Sequence, residues 1–166
     1  MMKKVIVIGC SGSGKSVFSR SFAQITGLPL YHLDNIWWRA DGTNATCDEF
    51  DRALADILEQ DEWIIDGNFS RTMEWRMRAC DTVIFFDLPT EVCIEGVKSR
   101  KGKERPDMPW KDAPEAADPE FMQFIRNYNQ TRRPDVIELL EKYSDKKIII
   151  FKSRADSDRF IQQLNK

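Results

Sequence analysis

The sequence predicts an α/β domain whose parallel sheet is covered by helices on both faces. Short apolar runs alternate with helix-compatible segments along the chain, and such alternation builds crossovers between parallel strands. The first run, Val5 to Ile8, leads directly into the glycine-rich octapeptide GCSGSGKS, residues 9 to 16, and then into a helical segment. At 166 residues the chain has the length of one domain, residues 1 to 166, which buries roughly 70% of its unfolded surface without metal or disulfide support.

The elements follow in order. A strand over residues 3 to 8 precedes the octapeptide, and a helix spans 15 to 26. A second strand covers 28 to 33. The next helix, 47 to 60, carries a capping-box pattern in Thr46 and Glu49. A strand at 62 to 66 is followed by a helix at 70 to 79 with Ser70 as N-cap, and a strand at 82 to 87 by a helix at 90 to 100 with Thr90 as N-cap. A long helix runs from about 119 to 142, entered through Asp118-Pro119. Pro134 lies inside it and should kink it near Arg132-Arg133, because proline removes a donor and crowds the preceding turn. The last strand covers 146 to 151 and the last helix 155 to 164.

Net charge is −2 and the pI about 5.6, so no global basic field draws the chain to nucleic acid, and direct DNA binding is not expected. Cys10, Cys47, Cys80 and Cys93 show no C-x-x-C spacing. With a single histidine they do not assemble a zinc site and read as reduced cytosolic thiols. Lys3-Lys4 before Val5 to Ile8 superficially resembles a signal segment. Four apolar residues are too few for one, and no run approaches a membrane span. A soluble, cytoplasmic chain is expected, with its oligomeric state open.

The octapeptide fits the pattern G-x-x-x-x-G-K-[ST] that cradles a nucleoside triphosphate. Inward-pointing backbone N–H groups of Gly9, Ser11, Gly12, Ser13 and Gly14 meet the phosphate charge, and glycines let the backbone curl that tightly. Lys15 reaches the β- and γ-phosphates, Ser16 places its hydroxyl on Mg²⁺, and the following helix aims its positive end at the same anion. ATP and Mg²⁺ are the expected donor and metal.

Residues 98 to 112, KSRKGKERPDMPWKD, form a cationic stretch in an acidic chain. Arg100 and Arg105 belong to it. It reads either as a lid over the phosphates, about residues 98 to 118, or as a solvated loop. Arg132 and Arg133 close on the transferred phosphoryl group from the other side or make surface ion pairs.

Together the phosphate loop, WIIDGNFSRT (Trp63 to Thr72), IFFDLPTEV (Ile84 to Val92), the basic stretch and TRRP (Thr131 to Pro134) resemble the adenylate kinase-like phosphotransferases. YHLDNIWW (Tyr31 to Trp38), DGNFSR, RPDMP (Arg105 to Pro109) and FKSR (Phe151 to Arg154) resemble, more narrowly, the adenylate kinase-related family labelled DNA topology modulation proteins. The resemblance spans nearly the whole chain. It implies a P-loop three-layer α/β/α sandwich with a five-stranded parallel sheet of order 2-3-1-4-5, ATP as donor, an acceptor-binding insert at about 34 to 61 and a lid after the fourth strand. It also implies that Ser153 and Arg154 contact the nucleotide. DGNFSR is one residue longer than the adenylate kinase pattern DGFPR, whose arginine Arg71 would match.

Asp66 ends an apolar strand beside the phosphate loop, where it can hold Mg²⁺ directly or through water, or simply make a turn with Gly67. Arg71 can bridge donor and acceptor phosphates or form a structural pair with Asp87 or Glu74. Asp34 follows the second strand, at the sheet edge where ligands bind. For a hydroxyl acceptor it would take the proton, a position similar to aspartates of sugar, nucleoside and shikimate kinases; otherwise it caps a loop. His32 is expected to pack under the site. Trp37 and Trp38 stack an acceptor ring or close a hydrophobic seam.

These features point to an ATP- and Mg²⁺-dependent kinase with a small-molecule phosphoryl acceptor, first a nucleotide or nucleoside and second another hydroxylated metabolite. A nucleotide-binding regulatory protein is the rival from another class. The missing N-K-x-D signature argues against a guanine-nucleotide switch.

Overall fold

The computed structural model describes residues 1–100 and 119–166. Among these, a sheet is built from β1 (Lys4–Gly9), β2 (Leu30–His32), β3 (Trp63–Asp66), β4 (Thr82–Phe86) and β5 (Lys147–Phe151). All four pairings are parallel and the order is β2-β3-β1-β4-β5, as the resemblance implied. Between and after the strands lie α1 (Lys15–Thr26), α2 (Leu33–Trp37), α3 (Cys47–Leu58), α4 (Ser70–Ala79), α5 (Thr90–Arg100), α6 (Pro119–Thr131), α7 (Arg133–Lys142) and α8 (Arg154–Leu164).

Successive strand side chains point to opposite faces, which divides the core in two. Val5, Val7, Ile64, Ile84 and Phe86 pack under α1, α5, α6 and α8. Ile6, Ile8, Ile65, Val83 and Phe85 pack under α3, α4 and α7. Both faces are covered, so β1 and β4 need apolar residues at consecutive positions. Each such side chain contributes about 1.5 to 3 kcal/mol relative to exposure.

Some boundaries differ from expectation, for identifiable reasons. The second strand is shorter than 28 to 33. Pro29 has no N–H for the ladder, and past His32, which pairs with Asp66 at the end of β3, there is no partner strand. The chain turns at once into α2, a helix not anticipated. The long helix is two: Arg132 (φ −110°, ψ −40°) caps α7, and Pro134 occupies its first turn, where a missing donor is harmless. Ser70 begins α4 instead of capping it, and Phe69 takes the cap position at φ 35°. The Thr46–Glu49 capping box forms as read. Pro119 opens α6; Asp118 lies outside the described residues.

Candidate functional site

At the carboxyl ends of the strands the phosphate loop leaves β1 and enters α1. Gly12 (φ 82°) and Gly14 (φ 101°) adopt left-handed backbone, and a Cβ on Gly12 would lie 2.1 Å from the Cys93 carbonyl oxygen. The loop therefore sits on α5 at a separation open only to glycine. Three contacts fix its shape. Ser13 N–H donates to Cys10 O (3.2 Å), Gly9 N–H to Asn68 Oδ1 (2.9 Å), and Arg154 Nη2 to Gly12 O (3.1 Å). Lys15 and Ser16 open α1, whose first amides lack intrahelical acceptors and carry the positive helix end.

Lys15 Nζ donates to Cys10 O at 2.9 Å. Burial lowers its pKa and Arg100 adds to the lowering, while Asp66, Cys10 and Asp34 pull it back up. The ammonium thus lies within the field of both candidate carboxylates. Ser13 is fully buried, and among the described residues its Oγ has no hydrogen-bond partner; an oxygen-rich anion in the cradle fits that orphaned hydroxyl.

Asp66 is paired in register with Val7, two residues before the loop begins, and with His32 on its other side. His32 Nδ1 lies 2.8 Å from Asp66 Oδ2 with both side chains nearly buried. His32 does pack under the site, and it also orients the carboxylate. Among the described residues no group of three or more His, Cys, Asp or Glu can hold a metal alone. Mg²⁺ commonly completes its shell with water and substrate phosphates, so Ser16 and Asp66 suit it as hard oxygen donors beside the loop.

A cleft of about 620 Å³ is lined by Trp37, Phe50, Asn68, Phe69, Arg71 and Arg132 among others, and Asn68 ties it to the phosphate loop. Trp37, Phe50 and Phe69 form a ring cluster with centroids 5.2–6.1 Å apart. Trp37 is thus in the cleft; Trp38 is exposed and bridges to Asn44. Arg71 donates to both oxygens of Asp51 (2.7 and 3.0 Å), a partner in α3 instead of Asp87 or Glu74. Arg132 leans on the Phe124 ring at 6.0 Å. Arg133 is drawn away from the cleft into a bidentate pair with Asp87 (2.7 and 2.9 Å). Asp34 is the second residue of α2, half-buried.

Ser153 caps α8 by accepting from Asp156 N–H (3.2 Å), and Arg154 braces the loop through Gly12. Arg100 ends α5 close enough to act on Lys15. Arg105 and the rest of the expected lid from residue 101 to 118 lie outside the described residues. All four cysteines are free thiols.

Several site residues escaped sequence reasoning. Asn68 bonds the phosphate loop from a motif read only for Asp66 and Arg71. Phe50, Phe69 and Phe124 line the cleft, but isolated aromatics signal only a core. Arg76 is wholly buried behind the loop after β3, and nothing in its spacing distinguishes it from a surface arginine.

No protein-family model matches the chain, and no curated protein matches it; the narrower resemblance to topology modulation proteins has no counterpart there. Solved structures do match. A shikimate kinase from Bacteroides thetaiotaomicron superposes with TM-score 0.60 at 21% identity, covering 99% of this chain and 97% of that one. A shikimate kinase from Acinetobacter baumannii in complex with shikimate gives 0.65 at 14%, covering 99% and 92%. One from Aquifex aeolicus gives 0.53 at 16%, covering 97% and 92%. At these identities the likeness shows a shared P-loop α/β fold.

Proposed function

We propose that the chain is an ATP-dependent kinase of a small hydroxylated molecule. One observation carries the reading: the Gly9 N–H of the phosphate loop donates to Asn68 Oδ1 (2.9 Å), and Asn68 also lines a separate cleft walled by Arg71, Arg132 and aromatic rings, so the loop adjoins a second pocket of a size to take an acceptor. A pure nucleotide switch has no use for such a cleft. The structural neighbours support the same reaction class, since they are titled shikimate kinases and one holds shikimate.

In this mechanism the loop amides and Lys15 hold the β- and γ-phosphates and neutralise charge that grows as the bond to the leaving oxygen lengthens. Arg71 and Arg132 orient the acceptor from the cleft walls. Asp34 accepts the hydroxyl proton as the acceptor oxygen attacks the γ-phosphorus and ADP departs. Ser16 and Asp66 would hold Mg²⁺, which when bound spreads phosphate charge and fixes the phosphates' orientation. Arg100 and Arg105 would cover the phosphates, and Ser153 and Arg154 would contact the nucleotide.

A nucleoside or nucleotide acceptor is the second reading, favoured by the aromatic lining of Trp37, Phe50, Phe69 and Phe124. Steady ADP release across a panel of polyols, hydroxy acids, nucleosides and nucleoside monophosphates decides between them. ADP release with no member of the panel, but only on adding a macromolecular partner, would replace the kinase reading with the regulatory one.

A further inference from the structure

Arg76 projects from the second turn of α4 into the space beneath the β3–α4 loop and is fully buried. Its guanidinium donates to three consecutive carbonyls: Gly67 (2.9 Å), Asn68, and Phe69 (3.1 Å). A run of three carbonyls turned toward one cation is not what a loop adopts unaided. Phe69, at φ 35°, is the one non-glycine with positive φ among the described residues, and such backbone persists only where the surroundings over-determine it. With the carbonyls drawn inward, the side chains face the site. Asn68 Oδ1 takes the Gly9 N–H at 2.9 Å, and Phe69 and Arg71 enter the cleft wall.

We infer that Arg76 is a positioning residue: one buried guanidinium shapes the β3–α4 loop so that it braces the phosphate loop through Asn68 and builds the acceptor cleft through Phe69 and Arg71. Its consequence for turnover rests on the kinase reading; its structural content does not. A residue that merely filled the core would stabilise both layers alike. The hydrogen bonds of Arg76 instead go to a segment that touches both the phosphate loop and the cleft.

The test is amide hydrogen exchange on Arg76→Lys and Arg76→Met, with ADP binding measured alongside. Lysine keeps the charge but cannot span three carbonyls, so exchange at Gly9 and at residues 67–70 should rise about tenfold or more while β4 stays protected. ADP affinity and acceptor KM should worsen together, with Arg76→Met the more affected. Unchanged exchange at Gly9 and 67–70 in the folded lysine variant overturns the inference, and so does a uniform rise that includes β4. If neither variant folds, the Arg76 guanidinium protons of the wild-type chain decide: slow exchange that opens together with Gly9 and residues 67–70 as urea is raised supports the link, and guanidinium protons that exchange fast while those amides stay protected remove it. Exchange is read without turnover. A chain that fails every acceptor yet shows the local effect would lose the kinase reading and keep this one.

Discussion

His32 Nδ1 and Asp66 Oδ2 lie 2.8 Å apart across the β2–β3 pairing, at the one register position where the last residues of both strands face each other. The histidine holds the carboxylate in one orientation beside the phosphate loop. Partners of a metal-binding carboxylate typically contribute 10- to 100-fold to metal affinity. His32→Ala should therefore raise the Mg²⁺ concentration for half-maximal ADP release by about that factor, with much of the rate recovered at saturating Mg²⁺. A Mg²⁺ titration identical to wild type would show that the His32 contact does not govern metal binding at Asp66.

Lys15→Ala tests the donor site. Losing one preorganised cation costs about 3 to 4 kcal/mol of transition-state stabilisation, or roughly 10² to 10³ in turnover. The side chain is half-buried at the helix start, so the melting transition should stay cooperative. Unaltered turnover in the folded variant contradicts the phosphate-loop reading.

Asp34→Asn separates acceptor classes. General-base catalysis usually contributes about 10² to 10⁴, and kcat should fall by that much for a hydroxyl acceptor. A monophosphate acceptor arrives already ionised, and its rate should hold or rise once a negative charge is gone.

Asp51→Ala releases Arg71 into the cleft. The pair is half exposed, so solvent screening should leave stability almost unchanged. KM for an anionic acceptor should fall while KM for ATP stays constant. Initial-rate kinetics with both substrates varied would show the split, and equal shifts in both constants would place Arg71 outside the acceptor subsite.

Asp87 supplies a pH prediction. Arg133, then Lys152, hold its carboxyl below the usual carboxylate range. The folded state thus binds fewer protons than the unfolded one, whose Asp titrates near about 3.9. The stabilisation is complete above that value and is lost as pH falls through the depressed folded value. Asp87→Asn should cost about 1 to 2 kcal/mol at pH 7, given that both cations reach solvent. The gap from wild type should close as pH drops below about 4, which urea unfolding at several pH values would reveal.

Local pattern made some of this molecule legible before its structure. The phosphate loop could be read because its chemistry is contiguous: glycines for curl, a lysine for charge and a hydroxyl for metal, all within eight residues. The Thr46–Glu49 cap was legible for the same reason. Pro134 signals a break near Arg132 in the sequence, as a kink. The form of that break is not legible there, because whether a proline bends a helix or begins one depends on what the flanking turns pack against. Arg71 is legible in sequence as a phosphate-bridging candidate, but its partner Asp51 is 20 residues away on another helix, a distance no motif spans.

The sequence by itself determined the alternation of strands and helices and the position of the phosphate loop, since both follow from apolar periodicity and backbone requirements over a few neighbouring residues. Only the tertiary structure decided that Asn68 braces Gly9, that His32 orients Asp66, and that Arg76 holds the loop carrying both Asn68 and Phe69. These links join residues brought together by the crossovers of the sheet. Their energies depend on burial and hydrogen-bond geometry, which exist only once the two layers of the core have closed.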